Sequence, residues 1–96
     1  MDREVVMLQL RQAFGGTPGE RRAVARAVTD LHDAGLLARD RGADLTAEML
    51  LEELSEAPDD ADGPAARWNW WVGALALAHG DEYVRFRVER WADEAE

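Results

Sequence analysis

The chain of 96 residues has no lysine and no cysteine. Without cysteine there is no disulfide, no thiolate metal ligand and no thiol nucleophile. Serine occurs once, at Ser55, and histidine twice, at His32 and His79, so hydroxyl nucleophiles and neutral-pH bases are nearly as scarce. The longest apolar run, Trp70 to Ala78, is far short of the roughly 20 residues that a membrane span needs. No basic stretch followed by an apolar one opens the chain, so a soluble protein of the cytoplasm is the expectation.

What is present is acid. Twenty Asp and Glu stand against eleven arginines, for a net charge of −9. The imbalance is local. Residues 1–35 match five acids with five arginines, and nine acids face Arg41 alone between Asp40 and Asp62. An acidic, lysine-free composition of this kind resembles the proteins of halophilic archaea. That resemblance implies a salt-rich cytoplasm, where a Debye length of about 3 Å at molar salt screens repulsion between carboxylates.

A hydrophobic fraction of 47% supports a folded chain, and its length suits one domain spanning residues 1–96. Asp2 caps a first helix to Phe14, with Val6, Leu10, Ala13 and Phe14 on one side. Thr17-Pro18-Gly19-Glu20 has the pattern of a capping box with proline in its preferred first slot. It opens a second helix that runs to Ala34 and stops at Gly35, with Val24, Ala27, Val28, Leu31 and Ala34 as the buried stripe. Residues 36–42 are a connector or a short strand. A third helix opens at Asp44 or Thr46 and ends near Ala57, before Pro58. A fourth spans about 65–79 and is apolar almost all round. The last segment, from Asp81 to about residue 94, fits a helix that aligns Val84, Val88, Trp91 and Ala95. It also fits a strand in which Val84, Phe86 and Val88 alternate with charge; helix is preferred. The expected fold is mainly all-α, a small bundle of four to five helices with room for one short strand pair.

The polar residues do not form a reaction centre. His32 and His79 lack the spacing of a metal motif. Ser55 lies on an acidic face with no base nearby, and the glycines before Pro18 lack the lysine of a phosphate loop. No catalytic residue, metal or cofactor is expected, and the protein is read as not an enzyme. Two other readings remain. Residues 17–46, with "Leu31-His-Asp-Ala-Gly35-Leu-Leu" leading to "Leu45-Thr46", resemble the recognition helix and first wing of winged-helix transcription regulators. The resemblance implies DNA binding through residues 21–45, with Arg21, Arg22, Arg26, Arg39 and Arg41 at the nucleic acid. The other reading rests on Trp68-Asn69-Trp70-Trp71. On a helix, Trp68, Trp71, Val72 and Leu75 share one side, while Trp70, Ala74 and Leu77 lie about 160° away. A small core covers one of these arcs. The second, with Gly73 beside it, suits a homodimer contact. The leading expectation is therefore a non-enzymatic protein-interaction module that self-associates through helix 65–79.

Overall fold

In the computed structural model, which describes residues 1–91, every regular element is helical. Five α-helices follow one another: α1 (Arg3–Phe14), α2 (Pro18–Ala34), α3 (Leu36–Arg41), α4 (Ala47–Ser55) and α5 (Gly63–His79). A 3-10 helix, Asp81–Phe86, comes last. The all-α bundle is the fold, and the short strand pair is not formed among the described residues. The stretch expected as connector or strand is α3, set between Gly35 and Gly42, both left-handed (φ 71° and 76°). Adjacent leucines on a strand point to opposite faces, whereas on a helix they stand about 100° apart and both can reach one core. Leu36 and Leu37 do so.

The helix starts are set by side chains that accept the first free N–H groups. Asp2 accepts from the Glu4 amide at 2.9 Å, Thr17 from Glu20 at 3.2 Å and Thr46 from Met49 at 3.1 Å. Glu20 departs from the expected capping box. Its carboxylate does not turn back to Thr17 but crosses to α5, where Oε2 accepts the buried Ala65 amide at 2.9 Å. Asp62, the residue before α5, makes no side-chain cap, so Glu20 caps that helix from 45 residues away. Among the described residues it is the one charged side chain that is buried. Two glycines make room for it. A Cβ on Gly16 would stand 2.7 Å from Pro64 and 2.8 Å from Glu20, and one on Gly63 3.0 Å from Glu20.

α5 is the central element and packs against α1, α2, α4 and the 3-10 helix. Trp68, Trp71, Val72 and Leu75 form its buried side. Val6 and Leu10 of α1, Val24, Val28 and Leu31 of α2, and Leu50 and Leu54 of α4 complete the core around them. Ala13 and Ala34, expected inward, are exposed, while Ala25 is fully buried. At 17 residues, α5 is not long enough to cross a membrane, and no other helix among the described residues is long and apolar enough.

The C-terminal segment corrects the helical expectation. Its 3-10 turn ends at Phe86, and Arg87 takes extended backbone (φ −64°, ψ 146°). Tyr83, Phe86 and Val88 are buried, whereas Val84 and Trp91, which the helical alignment turned inward, are exposed. Ala95 lies outside the described residues.

Glu20 gives a direct test of this arrangement. Removing an acceptor that leaves a buried amide unpaired costs about 1–3 kcal/mol. Urea unfolding of Glu20→Ala is expected to show a loss of that size. Glu20→Gln, which keeps an acceptor oxygen, is expected to lose clearly less. Equal stabilities for Glu20→Ala and wild type would remove the long-range cap.

Candidate functional site

Trp68-Asn69-Trp70-Trp71 occupies one turn of α5, and its four side chains take four different tasks. Trp68 is buried and donates its Nε1 proton to the Phe86 carbonyl at 2.7 Å. Asn69 makes two bonds to one residue: Nδ2 donates to the Val88 carbonyl and Oδ1 accepts the Val88 amide, both at 2.8 Å. A residue that both gives and receives through its main chain in this way behaves like one in a β-ladder. Such pairing holds residues 86–88 off a helical path. Trp71 is buried edge-on against Trp68, with centroids 5.7 Å apart and planes at 71°. Its own Nε1 has no hydrogen-bond partner among the described residues, so its contribution is packing, with the Arg41 guanidinium 5.9 Å over the ring.

Trp70 is the member that points out. It is 37% exposed, and Leu77, two turns on, is 92% exposed. Ala74 is exposed between them and Gly73 is half-buried. The sequence-predicted interface residues therefore do share one outer face. The exposed residues of that helix from Trp70 onward are Trp70, Ala74, Leu77 and Ala78, without a charge among them. The outer side of α1 differs: its exposed Val5 and Leu8 are interleaved with exposed Glu4, Arg11 and Gln12.

The five arginines of the DNA-binding alternative are not gathered into one set. Arg21 turns back to the α1–α2 turn, where Nη1 donates to the carbonyls of Gly15, at 3.1 Å, and Gly16. Arg39 bonds both carboxylate oxygens of Asp40, at 2.8 and 3.0 Å, and reaches Glu82 at 2.6 Å. Arg41 pairs with Glu53 at 3.1 Å. The strand-turn-strand wing implied for residues 36–46 is absent, since 36–41 are helical. Arg22 and Arg26 remain on the outer side of α2. There they face Arg85, Arg87 and Arg90 across a groove of about 430 Å³. Sequence reasoning missed these last three arginines. The alternation of Arg85 and Arg87 with Phe86 and Val88 was visible, but not which helix they would face.

Neither histidine joins a cluster. His32 Nδ1 lies 3.3 Å from Asp33, and His79 rests 5.9 Å from the Tyr83 ring. Among the described residues no three His, Cys, Asp or Glu side chains are placed to share a metal ion. Ser55 donates to the Glu52 carbonyl of its own helix at 2.8 Å.

A family model, the WNWW domain, matches residues 1–76, and the chain belongs to that family. Its name spells residues 68–71 in one-letter code. The match takes in Trp68 and Asn69 but stops short of the segment they hold. No curated protein and no solved structure matches.

One polar pair beside the site has a pH signature. Tyr83 donates its hydroxyl to Asp40 at 2.8 Å. Burial first, and this bond second, push the Tyr83 phenol up to about 12. Arg39 first, and Tyr83 second, hold the Asp40 carboxyl down to about 2. Tyr83 keeps its proton more tightly folded than unfolded, so its contribution is complete below pH 10 and is lost as pH rises through about 12. The Asp40 contribution has the opposite sense: it is present above about pH 4 and lost as pH falls through about 2. The chain has a single tyrosine. Its tyrosinate absorbance is expected to appear near pH 12 in wild type and at lower pH in Asp40→Asn. Titration of the native protein at pH 10 would contradict the pairing.

Proposed function

We propose that the protein is a non-enzymatic interaction module that pairs with a second copy of itself through the outer face of α5. The observation that carries this reading is Gly73. It sits inside a 17-residue helix, and a Cβ built on it meets nothing within 4 Å. The monomer's packing does not require a glycine there, yet glycine inside a helix costs about 0.5–1 kcal/mol relative to alanine. An approaching second helix supplies the missing reason, because small residues let two backbones come close.

The spacing also suits two-fold symmetry. Around an axis between Gly73 and Ala74, antiparallel helices place Trp70 of one copy against Leu77 of the other, and Gly73 against Ala74. A closed dimer uses the same patch on both subunits, and a partly exposed indole is the kind of anchor that dominates interfaces. Charge supports this choice of surface. Two copies at −9 repel each other over most of their surface, and the outer face of α5 offers an approach without carboxylates. The proposed setting is a salt-rich cytoplasm, where that repulsion is screened within about 3 Å at molar salt.

Light scattering coupled to size exclusion tests the reading. At roughly 100 μM protein in about 3 M KCl, where screening is strongest, wild type is expected to elute as a dimer. Trp70→Glu is expected to be a folded monomer. Gly73→Ala separates the two states: it should raise monomer stability by about 0.5–1 kcal/mol while weakening association. A monomeric wild type would contradict the proposal, as would a Trp70→Glu protein that unfolds, which would put that indole in the core.

A further inference from the structure

The groove between α2 and residues 85–91 is a basic place on an acidic protein. Five arginines line it, Arg22, Arg26, Arg85, Arg87 and Arg90, against two carboxylates, Asp30 and Glu89. Elsewhere acids outnumber arginines; there Arg39 pairs with Asp40 and Glu82 and Arg41 with Glu53, while Arg21 and Arg67 donate to main-chain carbonyls. In the groove Arg87 pairs with Glu89 at 2.9 Å. Arg26, Arg85 and Arg90 make no ion pair among the described residues, although Arg85 lies 4.8 Å over the Phe86 ring. Three guanidinium groups lining one groove without an ion pair among the described residues carry an electrostatic cost that a bound anion would remove.

The walls are also held in place. α2 forms one side. The other is the extended segment that Trp68 and Asn69 fix through Phe86 and Val88. Trp91, 41% exposed, lines the same groove. The volume of about 430 Å³ is that of a small-molecule site.

We infer that this groove binds a nucleoside phosphate, either free or as the terminal nucleotide of a single strand. Arginine forks match phosphate oxygens in pairs, and an exposed indole offers a face for a planar base to stack on. An acidic peptide would engage the arginines but would leave the indole without a task. A long duplex would have to run from this groove onto surface rich in carboxylates. The inference does not depend on the α5 dimer.

Titration calorimetry on the full chain tests it, at about 0.2 M KCl so that phosphate contacts are not screened away, with the fold confirmed by circular dichroism. The probes are ATP, a short 5′-phosphorylated oligonucleotide, inorganic pyrophosphate, adenosine and polyglutamate. ATP or the oligonucleotide is expected to bind more tightly than pyrophosphate, and adenosine and polyglutamate weakly. ATP binding tighter than the oligonucleotide identifies a free nucleotide; the reverse order identifies a strand end. Arg26→Gln and Arg90→Gln are each expected to weaken binding about tenfold, the loss of one charge-assisted contact. Trp91→Leu is expected to abolish the preference for nucleotide over pyrophosphate. All three positions are exposed. No binding of either phosphorylated probe at about 1 mM would overturn the inference. So would unchanged affinity in the arginine variants, or polyglutamate binding as tightly as the nucleotides.

Discussion

Four successive residues on a helix point in four directions about 100° apart, and when three of them are tryptophans a small domain cannot enclose them all. This constraint organises the molecule. Placing Trp68 and Trp71 inside makes α5 the central helix, in contact with α1, α2, α4 and the 3-10 helix. The same placement turns Trp70 outward and leaves Asn69 at the side, where it pairs with Val88. The buried indoles, the held C-terminal segment and the uncharged outer face are consequences of one local sequence.

Polar groups then join parts of the chain that hydrophobic packing alone would leave loosely related. Glu20 caps α5 from α2, and Asn69 holds residue 88. Tyr83 and Arg39 meet at Asp40, which ties the 3-10 helix to α3. The links from Ala65 to Glu20, from Val88 to Asn69 and from Tyr83 to Asp40 each pair a donor with an acceptor far apart in sequence, and a donor left without its acceptor when buried is costly. The arginines divide along the same lines. Some are matched to carboxylates or carbonyls and serve the fold, whereas Arg26, Arg85 and Arg90 line the α2 groove without an ion pair among the described residues.

The helices were legible in the sequence because their signals are local. Thr17-Pro18 marks the start of α2 and Gly35 its end, and the spacing of Val24, Val28 and Leu31 gives its buried face. The division of the tryptophans was legible for the same reason, since it follows from angular position alone. α3 was not, because six residues are too few to show a period. The path of residues 81–91 was not either. Val84, Val88 and Trp91 satisfy a helical spacing, and only Asn69, on another element, decides against it. Glu20 looked like half of a local capping box, and nothing near it in sequence announces Ala65. The groove was hidden for this reason too: Arg85 and Arg90 become neighbours of Arg26 only once Trp68 and Asn69 have fixed the last segment.

The central claim is that the outer face of α5 is covered by its own copy, with Gly73 and Ala74 at the two-fold axis. Because the chain has no cysteine, one introduced thiol reports on one position. The most direct measurement is disulfide formation under mild oxidation at high salt, comparing Ala74→Cys with Leu8→Cys, an exposed site on α1. The account predicts rapid cross-linking of Ala74→Cys into a dimer and little from Leu8→Cys. Preferential cross-linking of Leu8→Cys, with Ala74→Cys remaining monomeric, would contradict it.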